Sequence, residues 1–245
     1  MNQLKFITIA VTHEEAEFLT SSLERKRQKD EDWIKIFLVF LIEFYQSINN
    51  KSNYKNQDER YIKDEIIEYY KRNLRYGTKF TFNLETKTEN RERIGYYDLK
   101  FQSEVWEANQ KYFAVEAKCL DGSNTSIKEY IHNQKKKKGI GFTDGGVYRF
   151  LSLKYSENMI FGGMLGFIQK GKSKDIVERI QKELSELGIE MEGCQSFGNN
   201  LNKNRFSEKI EDFSHSFLSE HERCFNGKKG KNIKLYHLFY DFNLK

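Results

Sequence analysis

Apolar residues recur along this chain with two different periods, and the change of period divides it. Residues 13–29 and 30–49 both show helical spacing, the second with a wide apolar face in WIKIFLVFLIEFY. A polar stretch, NNKSNYKNQD, breaks the pattern. Residues 58–76 then set Ile62, Ile66, Tyr70 and Leu74 on one stripe, with Gly77 placed to end the helix. From residue 79 the period falls to two. KFTFNLET alternates apolar and polar, and residues 94–103 and 111–120 are two further strands. Residues 126–138 read as a helix ending at Gly139, residues 159–169 as a buried strand and residues 173–187 as an amphipathic helix. Residues 212–222 and 233–242 read as a closing antiparallel pair. This order predicts an α/β (α+β) domain over residues 58–245 with a mixed central sheet flanked by helices. Residues 1–57 form an N-terminal helical extension packed on it.

Composition narrows the class. Charged residues make up 31% and aromatics 15%, neither a disordered nor a membrane composition. Residues 33–45 are too few to span a bilayer and include Lys35 and Glu43, so no membrane association is expected. Acidic residues follow the first short apolar stretch directly, unlike a secretory leader. Cys119, Cys194 and Cys224 are widely spaced and form no CxxC pair, which predicts a reduced, cytoplasmic setting. The net charge of +5 permits contact with a polyanion without requiring it. That charge is uneven: Lys135, Lys136, Lys137 and Lys138 run unbroken, and Lys228, Lys229 and Lys231 cluster between glycines.

The candidate chemistry lies in the second and third strands. An antiparallel hairpin turning near residue 108 sets Asp98 opposite Lys118 and diagonal to Glu116. Glu116 and Lys118 are two apart and share a face. Two acids and an amine thus converge between strands that are otherwise apolar, where an unpartnered charge is expensive. Phosphodiester hydrolysis gives such a cluster a purpose. Carboxylates hold a hard cation through oxygen, the ion acidifies a water, and a lysine orients it and offsets negative charge.

GYYDLKF followed by YFAVEAKCL resembles the PD-(D/E)xK nuclease superfamily, whose restriction-endonuclease-like core runs helix, three strands, helix, strand. Residues 58–169 follow that order. The resemblance implies metal-binding roles for Asp98 and Glu116, a water-assisting role for Lys118, and Mg²⁺ or Mn²⁺ as cofactor. Tyr97 stands where the name-giving proline would be. Family members often add a carboxylate from the preceding helix, and Glu59 lies near the middle of the Ile62–Leu74 stripe at about 100° per residue. The resemblance further implies a nuclease acting on DNA. Such chains serve as effector subunits of prokaryotic antiphage-defence or restriction systems, regulated by a partner such as an ATPase. Residues 13–49 are the expected docking surface, and Lys135–Lys138 the expected nucleic-acid contact. A catalytically inactive nucleic-acid-binding or assembly subunit, and a ribonuclease, are the alternatives.

Each feature also has a plainer reading. Asp98, Glu116 and Lys118 could be a cross-strand ion pair worth roughly 0.2–1 kcal/mol. The lysine run could be a solvated helix end, and an acid at Glu59 could serve the helix dipole. Gly162, Gly163 and Gly166 lack the spacing of a nucleotide-binding loop and predict close backbone packing. His215, His221 and His237 read as sheet-surface residues, and Cys119 as a buried apolar thiol.

Overall fold

Helix α1 (Asp30–Ser47) opens with three acids in its first turn, which suits the positive end of the helix dipole. Trp33, Phe37, Phe40 and Phe44 recur at helical spacing and are all buried. Phe37 lies 5.1 Å from Phe80 and 5.0 Å from Phe101, and Phe40 edges onto Phe80, Phe82 and Tyr70. Each such ring contributes about 1.5–3 kcal/mol by leaving water. The computed structural model describes residues 30–88, 95–104, 106, 111–137, 140–185, 213, 216–225 and 228–243. The helix expected over residues 13–29 lies outside them. Among the described residues no helix is long and apolar enough to cross a membrane.

Asp58 caps α2 (Glu59–Arg72), its carboxylate accepting from the Tyr61 amide at 2.7 Å. The expected single helix over residues 58–76 breaks at Asn73, and a short α3 (Leu74–Gly77) follows. The Asn73 side chain donates to the Tyr69 carbonyl at 2.7 Å and so competes with the continuing helix.

Strands β1 (Thr81–Lys87), β2 (Tyr96–Gln102) and β3 (Tyr112–Leu120) form an antiparallel meander. Helix α4 (Asn124–Ile131) is capped by Ser123. After it come a two-stranded ribbon, β4 (Asn133–Lys137) with β5 (Ile140–Asp144), and a short helix α5 (Gly146–Leu151). This long crossover lets β6 (Phe161–Ile168) return parallel to β3, as parallel strands require. Helix α6 (Ser173–Ser185) leads on to β7 (Phe217–His221), the β8 (Cys224–Phe225) and β9 (Lys228–Lys229) pair, and β10 (Ile233–Asp241). The result is a mixed six-stranded sheet in the order β1-β2-β3-β6-β10-β7, with β10 parallel to β6 and antiparallel to β7. The closing pair therefore forms as expected.

Two further sequence expectations fail. The helix expected over residues 126–138 stops at Ile131, and His132 is extended at φ −154. The apolar spacing ends at Ile131, so nothing in NQKKK gives a helix a face to bury, and the lysines enter β4 instead. The β2–β3 register is also two residues from the one expected. Leu99 faces Val115 and Phe101 faces Phe113, which brings Asp98 level with Glu116 rather than Lys118. Trp106, in the connection between the strands, is buried and stacks on Phe161 at 5.4 Å, so the connection is anchored in the core rather than a simple turn.

The glycines of β6 serve packing. A Cβ on Gly163 would stand 2.9 Å from both Phe113 and Val115 side-chain atoms, and one on Gly166 would stand 2.8 Å from Leu120.

Candidate functional site

Strands β2 and β3 separate where the acids lie. Their ladder covers only Leu99–Gln102 against Val115–Tyr112. Beyond it Tyr96 and Tyr97 stay with β1, whereas Glu116 to Leu120 stay with β6. At this fork the Asp98 carboxylate replaces the missing backbone partner, its Oδ2 accepting from the Ala117 amide at 2.8 Å.

Around the fork the structure brings Asp98, Glu116, Lys118 and Glu59 together. Lys118 Nζ lies 2.7 Å from Glu116 Oε1, 3.5 Å from Glu59 Oε2 and 3.9 Å from Asp98 Oδ2. Two further cations join them. Lys63, one turn after Glu59 on α2, reaches Asp98 Oδ1 at 2.8 Å, and Arg149 of α5 reaches Glu116 Oε1 at 2.6 Å. Nothing in the sequence alone points to Arg149. Lys63 was signalled weakly, as the i+4 partner of an acid already noted on the buried stripe.

Tyr155 completes the wall. It accepts from Arg149 at 3.0 Å and donates to the Tyr96 carbonyl. Its loop is pinned by Arg223, a buried guanidinium that donates to the carbonyls of Ser156, Met159 and Lys231 at 2.6–2.7 Å. Burial lowers Arg223 to about 10. Tyr97, at the proline position of the motif, is buried with its hydroxyl 2.9 Å from that of Tyr112.

Burial and ion pairing compete throughout the cluster. Burial favours a protonated Asp98, but the Lys118 and Lys63 ammoniums and the Ala117 amide outweigh it and hold the carboxyl below its usual range. Burial prevails at Glu116, which it raises, with Asp98 reinforcing, despite Lys118 and Arg149. Glu59 is pushed up to about 7 by burial, with Asp98 and Glu116 reinforcing and Lys118 opposing. Lys118 is raised, the surrounding carboxylates exceeding its own desolvation. The Lys118–Glu116 attraction favours the charged form of both members, but only at Lys118 does the net balance follow it. The difference is that Glu116 is wholly enclosed while Lys118 retains some contact with solvent.

No protein-family model, curated protein or solved structure matches this chain.

The residues fit a hard divalent cation in kind. Glu116 Oε2 is buried and has no hydrogen-bond partner among the described residues. Leaving such an oxygen unsatisfied costs about 1–3 kcal/mol, more when charged. Three carboxylates also gather round one cationic point, Lys118 Nζ. Among the described residues no three acid, histidine or cysteine side chains are already set as a coordination sphere. The ammonium stands among the oxygens instead.

Lys135, Lys136 and Lys137 belong to β4, and Lys138 lies outside the described residues. His221 and His237 are buried rather than on the sheet surface, and His215 lies outside the described residues. Cys119 is partly buried, and burial pushes its thiol up to about 12, so it is no nucleophile at neutral pH. Of the expected docking surface over residues 13–49, residues 13–29 lie outside the described residues, and the apolar residues of α1 are buried in the chain's own core.

Proposed function

We propose that this chain is a divalent-metal-dependent nuclease of the PD-(D/E)xK type with a restriction-endonuclease-like core, and that DNA is its substrate. The observation that carries the reading is Glu116, fully buried with one unpartnered oxygen, at a strand fork shared with Asp98 and Lys118. An ordinary surface ion pair leaves both carboxylate oxygens to solvent; this one does not. The order α2, β1–β2–β3, α4, β6, with a meander followed by a parallel return, supports the same reading.

Asp98 and Glu116 would hold the ion, with Glu59 beside them. When bound, the ion supplies an acidified water and polarises the phosphate. Lys118 contributes a fixed positive charge that orients the attacking water and offsets charge growing on the phosphoryl oxygens. Ala117 fixes the Asp98 carboxylate through its amide, and Arg149 holds Glu116 in place. Supercoiled plasmid incubated with Mg²⁺ or Mn²⁺ tests the activity. Wild type is expected to nick or linearise it, and Asp98→Ala and Lys118→Ala to do neither; equal cutting by all three rejects the assignment.

A second reading has its own support. Lys63, Lys118 and Arg149 already pair with the carboxylates, as in a structural cluster of a non-catalytic nucleic-acid-binding subunit. Calorimetric Mn²⁺ titration separates the two, because only the enzyme takes up an ion that Asp98→Ala abolishes.

A further inference from the structure

Beside Arg149, which pairs with Glu116 alone, the acid cluster has two positions where a lysine ammonium stands among three carboxylates. Lys118 Nζ is surrounded by Glu116, Glu59 and Asp98, as above. Lys63 Nζ is likewise surrounded by Asp98 at 2.8 Å, Glu59 at 3.7 Å and Glu85 at 3.8 Å. Asp98 and Glu59 belong to both sets. Two positive positions bridged by shared carboxylates are the arrangement that holds a pair of divalent ions when metals fill both. Here protein ammoniums fill both.

The two ends are not equivalent. At the Lys63 end Asp98 Oδ1 accepts directly from Lys63 at 2.8 Å, while Oδ2, which accepts from the Ala117 amide, faces Lys118 at 3.9 Å. Lys63 is among the buried residues of α2, between Ile62 and Ile66 on that helix, and its side chain is only 6% exposed. At the Lys118 end, by contrast, Glu116 Oε2 is unsatisfied.

We infer that Lys63 is a resident cation that permanently fills the second position, so the site takes a single divalent ion, at the Glu116 end. The inference rests on the metal-dependent reading above and specifies its stoichiometry. Lys63 is then a positioning residue: it neutralises and orients Asp98 where a second ion would otherwise do so. With Lys63 removed, Asp98, Glu59 and Glu85 are left around a position lacking positive charge, and a second ion enters.

Mn²⁺ titration of the full chain, followed by calorimetry and electron paramagnetic resonance, tests this. Wild type is expected to bind one ion, lost in Asp98→Ala. Lys63→Met is expected to bind two, with the resonance of the first broadened by the second. Lys63→Gln keeps a donor for Asp98 without the charge, and is expected to behave alike should Lys63→Met not fold. Two ions in wild type overturn the inference, as does one ion of unchanged affinity in a folded Lys63 variant. No ion in wild type or either variant overturns the metal-dependent reading itself.

Discussion

Lys118 Nζ sits 2.7 Å from Glu116 Oε1, the carboxylate two residues back on the same strand, and Glu116 is entirely sealed from solvent. Successive side chains alternate across a strand, so an i, i+2 pair meets without distortion. The pair is therefore built into β3 rather than assembled by distant elements. Its weakness is desolvation, which at Glu116, together with repulsion from Asp98, exceeds the attraction of both neighbouring cations.

Glu116→Gln separates stability from function on that basis. Glutamine keeps the shape and one acceptor for Lys118 and Arg149 while removing the buried charge. The melting temperature is expected to hold or rise, whereas Mn²⁺ uptake and cleavage disappear. A melting temperature lower by about 10 °C, some 3 kcal/mol for a chain of this size, would make the ionised carboxylate structural instead.

Arg149→Met should act the other way. The guanidinium bonds both Glu116 and Tyr155, and its loss leaves a buried carboxylate with Lys118 alone. Removing one partner of a buried pair costs about 3–5 kcal/mol. Thermal melts should show a drop on the order of 10 °C. The double variant Arg149→Met with Glu116→Gln should recover much of it, because the stranded charge is then gone.

How much of this was legible beforehand depends on the signal each element carries. The stripe through Ile62 and Ile66, the alternation of β1 and the apolar run of β6 announced themselves, because burial imposes a period on long elements. Helix α5 has six residues and no side-chain cap, so no period could develop, and Arg149 was hidden with it. The convergence of Asp98, Glu116 and Lys118 followed from strand adjacency and survived an error of two residues in register. The side-chain bond from Asp98 to Ala117 could not be read, since it exists only because the ladder stops at Leu99 and Val115.

A second polar cluster contributes to the acid sensitivity of the fold. Tyr130 meets His237 Nδ1 at 2.9 Å, and Ser219 Oγ lies 2.7 Å from Nε2 of both His237 and His221. One proton per ring satisfies the whole chain. Burial lowers His221 to about 4 and His237 well below its ordinary value. In the unfolded chain both titrate near 6.5. Their contribution is therefore complete above about pH 6.5 and is lost as pH falls from there towards 4, by about 3 kcal/mol for His221. Glu59, raised to about 7, works in the opposite sense, adding stability as pH falls. Urea unfolding of wild type against His221→Gln isolates the histidine. The stability difference should change between pH 6.5 and 4 and stay flat above 7.

Gly163→Ala tests whether the packing beneath the site matters to it. Gly163 pairs with Val115, the residue before Glu116, and a Cβ there would lie 2.9 Å from Phe113 Cζ and Val115 Cγ2. Phe113 is hemmed in by Phe37 and Phe161, and Val115 by the sheet, so β3 must give way. Overpacking of this kind costs about 1–3 kcal/mol, a fall of several degrees in melting temperature. Because the displaced strand carries Glu116 and Lys118, Mn²⁺ affinity should fall as well. Ile180→Val on α6, a buried truncation of about 0.5–1.5 kcal/mol away from the fork, is the control. It should lower the melting temperature and leave Mn²⁺ binding intact. Equal loss of affinity in both variants would mean that ion binding follows global stability rather than the placement of β3.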